Sequence, residues 1–377
     1  MRAFSIEELR RAAKRRLPRA VFDFIDGGAE DERTLRQNCA AFEKVRLQRK
    51  VLVGVAQVDT EATILGKTAK LPIAIAPTGA VGFGWRGGDI AVARAAAEFG
   101  IPFSLSTSAT ASIERIAEAA PGRHWFQAYF FKDREYTFGL IERARQAGYD
   151  TLMVTADLPV GGKRERDFRN DFSIPFRFTP RNVLDFATRP AWALDMLLRG
   201  VPQLENLAGL APRGTDTRNL VSSVGRDQDA SLDWEVVKRV RGVWPGKLLI
   251  KGVMHPADAE RAVSVGCDGV IVSNHGGRQL DGEPGSFDVL PGVARAIGGK
   301  AAVLMDGGIR RGSDIVKALA AGAQAAMIGR ATYYGVCADG EAGARRALEI
   351  LQDELVRTMQ LCGARSIAEI GPELIVR

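Results

Sequence analysis

The sequence predicts a (β/α)8 barrel, an α/β fold, from three observations. Eight short runs along the chain are almost continuously apolar, as strands buried on both faces of a parallel sheet should be. Ala-rich helical patterns separate most of these runs, which is the alternation that builds βα units. Residues suited to chemistry follow several of the runs, where barrels of this kind carry their active sites. We therefore expect a single domain over residues 1–377.

The first part of the chain is expected to be a helical extension, residues 1–65, that lies against the barrel. Ser5 and Glu8 have the spacing of a capping box, which predicts the start of a helix. The barrel is expected over residues 66–360. Its predicted strands are Leu71–Pro77, Pro102–Ser106, Trp125–Tyr129, Thr151–Thr155, Lys247–Lys251, Gly269–Ser273, Ala302–Asp306 and Ala325–Gly329. The helical patterns between them include Ile90–Phe99, Arg134–Ala147, Ala257–Val265 and Gly312–Ala321.

A long insertion, residues 176–232, follows the fourth predicted strand. Its apolar residues, such as Trp192 and Leu197, are interspersed with arginines such as Arg181 and Arg189. The segment is too interrupted by charge to span a bilayer. Two interpretations stay open: an amphipathic surface segment that lies on a membrane, or a lid that packs on the mouth of the barrel.

Composition and charge limit the classes of function. The net charge of +7 favours anionic partners, such as acidic metabolites, phosphate-bearing cofactors or anionic membrane surfaces. No basic run is interleaved with aromatic residues, so we expect no nucleic-acid partner. The four cysteines lie far apart without a CxxC spacing, and we expect neither a metal site nor disulfides. The N-terminus lacks a long apolar segment, so we expect a cytoplasmic protein.

The segment Ser273–Gly282, SNHGGRQLDG, carries the strongest chemical signal and begins where a predicted strand ends. Histidine is the default general base near neutral pH, which makes His275 the candidate base. Arg278 presents a fork of donors that matches a carboxylate, and one of Arg164 and Arg166 is a candidate second donor. A base beside a carboxylate clamp predicts proton abstraction next to a carboxylate. The alternative is a polar turn with an exposed histidine, which fits less well because the chain has only three histidines.

Two glycine–arginine segments follow the seventh and eighth predicted strands. They are Asp306–Arg310, DGGIR, and Gly329–Arg330. In (β/α)8 barrels the loops after these two strands form the usual phosphate site. Glycine N–H groups and a helix N-terminus supply donors there, and arginine neutralises the charge. Together the two segments predict a site for a phosphorylated cofactor.

Other polar residues stand at the ends of predicted strands. Asp157 follows the fourth strand, where a carboxylate can orient His275 and stabilise its protonated form. Lys251 ends the fifth strand, where an ammonium can lie against a cofactor atom that gains negative charge; the alternative is a salt bridge at the barrel rim. Gln127 and Tyr129 end the third strand and can supply hydrogen bonds.

These motifs together resemble the FMN-dependent (S)-2-hydroxy-acid dehydrogenases and oxidases, the family of glycolate oxidase, L-lactate dehydrogenase and (S)-mandelate dehydrogenase. The similarity extends over essentially the whole chain, and the SNHGGRQLDG segment is highly specific for the family. The family fold is the (β/α)8 barrel, in agreement with the strand count. The residues that carry the resemblance are Gly27–Ala29, Pro77–Gly79, Trp125–Gln127, Thr155–Asp157, Arg164–Asp167, Ser273–Gly282 and Arg310–Gly312.

The resemblance implies a role for each candidate catalytic residue. His275 would remove a proton during substrate oxidation, or take the hydroxyl proton if hydride is transferred. Asp157 would partner His275, and Tyr129 would hydrogen-bond the substrate hydroxyl. Arg278 and Arg166 would bind the substrate carboxylate.

The resemblance also implies FMN as the cofactor. Lys251 would face flavin N1 and stabilise the reduced ring. The flavin ring would contact Ser106, Gln127, Thr155 and Ser273, together with the backbone of Pro77, Thr78 and Gly79. The ribityl chain and phosphate would be held by Asp306, Gly308, Arg310, Gly329 and Arg330.

Two positions bear on the substrate and on the electron acceptor. Phe24 stands where the family usually has a tyrosine that donates to the substrate carboxylate, and an apolar or aromatic neighbour would suit it. Gly79 is typical of the dehydrogenases, whereas oxidases tend to have alanine there. We therefore expect electrons to pass to a quinone or a protein acceptor. The alternatives are an oxygen-using oxidase that produces hydrogen peroxide, and a non-catalytic flavin-binding barrel.

The resemblance also implies contact with a membrane and assembly with copies of the same chain. The insertion at 176–232 is similar to that of the membrane-associated lactate and mandelate dehydrogenases, which favours peripheral contact with the inner face of the cell membrane. Barrels of this family tend to be tetramers, so we expect a homotetramer.

Overall fold

The N-terminal extension is helical as far as Glu43. The computed structural model describes residues 2–173, 178–210 and 228–376. The first helix begins after Ser5, whose hydroxyl accepts a hydrogen bond from the backbone N–H of Glu8 at 3.2 Å, as the capping box predicts. The helices of the extension are α1 (Ile6–Arg16), α2 (Arg19–Asp26) and α3 (Arg33–Glu43).

Beyond the third helix the extension forms short strands, which the sequence did not reveal. β1 (Arg46–Leu47) pairs antiparallel with Ile375–Val376 near the end of the chain. β2 (Ala62–Ile64) and β3 (Lys67–Ala69) form a hairpin. Strands this short carry too little periodicity to be recognised from sequence, and they form because each has a partner to pair with.

Eight parallel strands close into a barrel, so the predicted fold is confirmed. Each strand pairs with the next along the chain, and the eighth pairs with the first. The predicted strands differ from the observed ones only at their ends; the fifth runs past Lys251 because a register shift, at Gly252 with φ +101°, lets it continue. The strands are β4 (Ile73–Thr78), β5 (Phe103–Ser106), β6 (His124–Ala128), β7 (Thr151–Thr155), β8 (Lys247–Val253), β9 (Gly269–Val272), β10 (Ala302–Met305) and β11 (Ala325–Ile328).

The interior of the barrel is a small apolar core of its own. Trp125, Met153 and Leu249 are fully buried inside it, and Ile64 of the β2–β3 hairpin packs against the same cluster. A larger apolar cluster fills the space between the strands and the surrounding helices. The closed, filled barrel leaves the loops at the carboxyl ends of the strands as the place for a site.

Helices surround the barrel, as the alternation of the sequence predicts. The last of them is long and bends at Asp339 and Gly340, whose backbone angles are not helical. These helices are α4 (Val81–Gly84), α5 (Gly88–Glu98), α6 (Ile113–Ala119), α7 (Arg134–Gln146), α8 (Glu165–Arg169), α9 (Pro180–Ala187), α10 (Pro190–Arg199), α11 (Trp234–Val243), α12 (Pro256–Ser264), α13 (Ser286–Ile297), α14 (Gly312–Ala320) and α15 (Arg330–Cys362). The remaining short elements are 3₁₀ turns at Glu205–Leu207, Ile367–Glu369 and Pro372–Leu374, and strand β12 (Ile375–Val376).

The described part of the insertion, residues 178–210 and 228–232, is fixed to the rest of the protein by polar contacts. The Trp192 indole donates to the carbonyl oxygen of Phe83 at 2.8 Å. The Asp185 carboxylate accepts from the backbone N–H of Arg19 and Ala20 at 3.0 and 2.9 Å, at the start of α2. The rest of the predicted insertion lies outside the described residues. Among the described residues, no helix is both long and apolar enough to cross a membrane.

Candidate active site

A cavity opens at the carboxyl ends of the barrel strands, with an empty volume of about 1300 Å³ including its open mouth. Most of the site residues predicted from the sequence line it. They are Phe24, Pro77, Thr78, Gly79, Ser106, Tyr129, Lys251, His275, Arg278, Asp306, Gly308, Arg310, Gly329 and Arg330. The structure therefore brings together residues as distant in the sequence as Phe24 and Arg330.

His275 stands between a carboxylate and a phenol. Its Nδ1 lies 3.0 Å from Asp157 Oδ1, and its Nε2 lies 3.3 Å from Tyr129 Oη. Its backbone has φ +58°, a left-handed conformation that costs a residue with a Cβ about 1–2 kcal/mol. The backbone N–H of His275 donates to Ser273 Oγ at 3.1 Å, which helps to hold this turn. Strain of this kind is often found where the chain must aim a functional side chain.

Asp157 is suited to remain ionised beside the imidazole. Burial alone would raise the pKa of its carboxyl group, but the charge and hydrogen bond of His275 and the charge of Lys251 outweigh burial and hold the pKa below its usual value. Gln279, which the sequence analysis did not single out, donates to the backbone carbonyl of Asp157 at 3.1 Å and steadies this loop.

Lys251 is a buried cation with two polar partners. Its Nζ donates to Ser273 Oγ at 2.7 Å and lies 3.0 Å from Asp306 Oδ2. Burial lowers the pKa of the ammonium, but Asp306 and Asp157 more than compensate and raise it. A fixed positive charge therefore faces the cavity from within β8, near its carboxyl end.

Arg278 is held by backbone oxygens rather than by a carboxylate. Its Nη1 donates to the carbonyl oxygens of Phe24 and Gly27, both at 2.8 Å. No carboxylate in the described part of the chain lies within ion-pair distance of it. Burial, together with the positive charges of Arg164 and Arg330, lowers the pKa of its guanidinium. An anion bound in the cavity would relieve this unfavourable environment.

The structure does not bring Arg166 to the cavity. Its guanidinium is paired with carboxylates of the N-terminal extension: Asp26 at 3.2 Å, Asp23 at 3.5 Å, and Glu32. Arg164 lines the cavity instead. The expected role of Arg166 in substrate binding is therefore corrected: of the two arginines that the loop offers, Arg164 is the one placed beside Arg278.

The loops after β10 and β11 have the features of the predicted phosphate site. The Arg330 guanidinium is fixed by the carbonyl oxygens of Ile25, Gly276 and Gly27 at 3.1, 2.9 and 2.9 Å. Arg310 approaches from the neighbouring loop, and the backbone between Asp306 and Arg310 lines the wall.

Glycine is required at position 308 of this loop. Its φ is +84°, and a Cβ there would collide with the carbonyl oxygen of Asn38. The loop can therefore present its backbone closely to an anion.

Three predicted flavin contacts, Gln127, Thr155 and Ser273, are not among the residues that line this cavity, although Gln127 and Ser273 bond the lining residues Ser106 and Lys251. Polar atoms of Gln127 and Thr155 test whether a flavin ring fits. Gln127 is buried, and its Oε1 accepts from Ser106 Oγ at 3.0 Å. Within the described residues, Gln127 Nε2 and Thr155 Oγ1 have no hydrogen-bond partner. Buried polar groups are rarely left unpaired, and the carbonyl and nitrogen atoms of a flavin ring are suitable partners. The residues present therefore fit FMN.

Some lining residues were not predicted. Tyr333 donates to the carbonyl oxygens of Gly79 and Ala80 at 3.1 and 2.9 Å and so holds the loop after β4. Leu204, from the insertion, and Leu158 add apolar surface. Tyr333 lies within a helix and Leu204 within the insertion, and neither belongs to a recognisable sequence motif. The only indication in the sequence that the insertion reaches the cavity was its interpretation as a lid.

Comparisons with known proteins agree with this geometry. Residues 13–377 match the family model described as FMN-dependent dehydrogenase. The chain is 43% identical to (S)-mandelate dehydrogenase of Pseudomonas putida, over 99% of this chain and 93% of that protein. It is 42% identical to an L-lactate dehydrogenase of Pseudomonas aeruginosa strain LESB58, over 98% and 97%. The chain also superposes on the crystal structure of the monotopic membrane protein (S)-mandelate dehydrogenase. The alignment covers 100% of both chains, with a TM-score of 0.95 and 41% sequence identity. The chain therefore belongs to the FMN-dependent dehydrogenase family, which confirms the predicted family, enzyme class and cofactor.

Proposed function

We propose that this enzyme oxidises an (S)-2-hydroxy acid of the L-lactate or (S)-mandelate class to the 2-oxo acid and passes the electrons to a quinone or a protein acceptor. The relatives named for mandelate and lactate support the substrate class. One observation carries the proposal: a histidine paired with a carboxylate opens onto the same cavity as two arginines. That arrangement suits proton removal beside a bound carboxylate.

Two arginines bind the substrate carboxylate in this proposal. Arg278 is pre-positioned by its bonds to backbone oxygens, so little side-chain freedom is lost on binding. Arg164 lines the cavity near it, and both guanidinium groups lie over the Phe24 ring, at 5.2 and 5.9 Å from its centre. The carboxylate fixes the acid end of the substrate, and Leu158 and Leu204 offer apolar surface to its side chain.

His275 is the proton acceptor. Asp157 can only accept a hydrogen bond when ionised, so it holds the ring proton on Nδ1 and leaves the Nε2 lone pair available. Tyr129 Oη, 3.3 Å from Nε2, can bond the substrate hydroxyl at the same point. Once His275 has taken the α-proton, or the hydroxyl proton if hydride is transferred, Asp157 stabilises the positive imidazolium.

Other residues in and beside the same cavity would hold the cofactor. Lys251 would supply a fixed positive charge beside the flavin ring, and Gln127 and Thr155 would bond its edge. Arg310 and Arg330 would hold the phosphate. When bound, FMN accepts the two electrons that leave the substrate.

Two features support a membrane-borne acceptor. Gly79 lines the cavity, and glycine at this position is typical of the dehydrogenase members of the family. The insertion presents exposed leucines on α9 and α10, and the similar (S)-mandelate dehydrogenase is described as a monotopic membrane protein. We therefore propose peripheral membrane contact through these helices. The homotetramer implied by the resemblance stays a prediction, which the mass of the purified protein in solution would test.

Anaerobic titration of the flavin absorbance tests this proposal. We expect (S)-lactate or (S)-mandelate to bleach the bound FMN, and their mirror images to leave it oxidised. Added quinone should then restore the colour faster than air does. A flavin that none of these acids bleaches would overturn the substrate class, and equal rates with oxygen and quinone would make the enzyme an oxidase.

A further inference from the structure

The turn that carries the proposed base, Asn274–Gly277, has three successive residues in the left-handed conformation. The backbone angle φ is +58° at His275, +64° at Gly276 and +74° at Gly277. Glycine adopts this conformation freely, but a residue with a Cβ does so only at an energetic cost. Contacts with the surrounding structure are therefore needed to keep His275 in this position.

The side chain of Asn274 closes this turn. Its Oδ1 accepts from the backbone N–H of Gly277 at 3.2 Å, and the same N–H donates to the Asn274 carbonyl oxygen at 3.0 Å. Asn274 Nδ2 donates to the carbonyl oxygen of Pro284 at 3.0 Å. The position of His275 therefore depends on how firmly the amide of the preceding residue is held.

Asn38 on α3 of the N-terminal extension binds that amide in both directions. Asn38 Nδ2 donates to Asn274 Oδ1 at 2.8 Å, and Asn38 Oδ1 accepts from Asn274 Nδ2 at 3.0 Å. Asn38 Oδ1 also accepts from the backbone N–H of Ser286, at the start of α13, at 3.1 Å. Both asparagines are only 1% exposed. Because they are shielded from water, losing one amide would leave buried polar groups of the other unpaired.

The backbone of the same residue packs on the predicted phosphate loop. A Cβ at Gly308 would collide with the carbonyl oxygen of Asn38, and Cys39 Sγ lies 3.7 Å from the Gly308 carbonyl oxygen. The side chain of Asn38 therefore supports the turn of the base, and its main chain supports the loop expected to hold the FMN phosphate. A substitution at position 38 changes the first contact and leaves the second in place.

We propose that Asn38 is a positioning residue for the reaction: through Asn274 it holds the turn in which His275 faces the substrate. Neither asparagine lines the active-site cavity, so Asn38 acts without touching substrate or flavin. The inference rests on the proposed function, because it takes His275 as the proton acceptor. A small displacement of a base is costly, since proton transfer needs the two heavy atoms within hydrogen-bond reach.

Rapid mixing of the FMN-loaded enzyme with (S)-lactate or (S)-mandelate tests this role. We expect Asn38→Ala to lower the rate of flavin bleaching at saturating substrate by about ten- to a hundredfold. The Kd of the substrate should change little, because Arg164 and Arg278 are unaltered. A variant that was only less stable would have a lower melting temperature, but each flavin-loaded site would bleach at the native rate.

Thr34→Val is the matched control. Thr34 lies one turn earlier on α3, is 0% exposed and bonds the same loop. Its Oγ1 accepts from the N–H of Glu283 at 3.0 Å and donates to the carbonyl oxygen of Leu280 at 3.3 Å, beyond the turn of His275. The control should lower the melting temperature and keep the native bleaching rate. An equal fall in rate in both variants would mean that α3 supports the loop as a whole, and would overturn the specific role of Asn38.

Asn38→Asp carries the test if the alanine variant does not fold. The carboxylate has the shape of the amide and still accepts from Asn274 Nδ2 and from the N–H of Ser286, but when ionised it cannot donate to Asn274 Oδ1. Its negative charge favours a protonated His275, so the charge itself would not slow proton uptake. We expect a fall in bleaching rate of about three- to tenfold. A native rate in a flavin-loaded Asn38 variant would overturn the proposal.

Crystal structures of the flavin-loaded variants separate this inference from the proposed function. The 3.0 Å contact between His275 Nδ1 and Asp157 Oδ1 should be lost in Asn38→Ala and kept in Thr34→Val. If neither acid bleaches the native enzyme, the proposed function fails, and these structures still decide whether Asn38 orients His275. An imidazole that keeps its native position in Asn38→Ala would overturn the inference whatever the substrate.

Discussion

Arg278 contacts Phe24 in two ways: its Nη1 donates to the Phe24 carbonyl oxygen at 2.8 Å, and its guanidinium lies 5.2 Å from the centre of the Phe24 ring. The backbone of Phe24 therefore orients the arginine, whatever its side chain. The ring also stacks on Phe172, with centroids 4.8 Å apart. Replacing Phe24 by tyrosine would therefore leave its contacts with Arg278 and Phe172 in place.

Phe24→Tyr should therefore lower the apparent KM for small hydroxy acids. The tyrosine hydroxyl would add a hydrogen bond to the substrate carboxylate, which is worth about tenfold in binding. Steady-state kinetics with lactate and mandelate would measure the change, and kcat should change less than KM. An unaltered KM for both acids would show that position 24 does not face the carboxylate.

His275→Gln should abolish turnover and leave FMN bound. Glutamine keeps hydrogen-bonding capacity but cannot take a proton, so we expect kcat to fall by about 10²–10⁴-fold. The visible spectrum of the purified variant shows whether flavin is retained, and rapid mixing with substrate measures the bleaching rate. Near-normal bleaching would refute the assignment of His275 as the base.

Asp157→Asn should also lower kcat, because the amide cannot stabilise a protonated His275. Since Asp157 acts through His275, its loss should add little in a variant that already lacks the histidine. Kinetics of the two single variants and the double variant, Asp157→Asn with His275→Gln, would measure this coupling. Multiplied losses in the double variant would mean that the two residues act independently.

The sequence predicted the residues whose positions follow from barrel topology. Lys251 lies near the carboxyl end of β8, and Asp157 and His275 follow the ends of β7 and β9. Parallel strands bring such positions to one mouth. The choice between Arg164 and Arg166 could not be made this way. Arg164 is the extended residue just before α8 and Arg166 lies in the first turn of that helix. Which of the two meets the cavity depends on where α2 packs. That packing involves residues some 140 positions away in the chain.

Tyr333 escaped prediction for a similar reason. Tyr333 looks like an ordinary buried residue of α15, and its contact with Gly79 exists only because the last helix returns to the first barrel strand.

The two arginines of the β7 loop offer a direct comparison. Arg164→Met should raise the KM for hydroxy acids by about ten- to a hundredfold, because one charge-assisted bond to the carboxylate is lost. Arg166→Met should leave KM nearly unchanged but lower the melting temperature, since Asp26, Asp23 and Glu32 would lose their shared cation. Kinetics and calorimetry on both variants separate the two roles. A raised KM in Arg166→Met together with an unchanged KM in Arg164→Met would place Arg166, and not Arg164, at the substrate.

Asp26 should contribute pH-dependent stability. Burial opposes its ionisation, but bonds from Arg10 at 2.6 and 2.8 Å and from Tyr334 at 2.7 Å lower its pKa to about 2 from 3.8. Because the folded pKa is the lower one, this stability is fully present above pH 3.8 and is lost as the pH falls towards about 2. Asp26→Asn should lower the free energy of unfolding at neutral pH by about 2 kcal/mol.

Urea unfolding across this pH range, with FMN held at one saturating concentration, measures the effect of Asp26. The difference between native and variant should shrink as the pH falls below 3.8. Asp31→Asn is the matched control, because Asp31 is exposed and pairs only with the exposed Arg33 in the described structure. A difference that stayed constant with pH would mean that packing around Asp26, and not its charge, sets the stability.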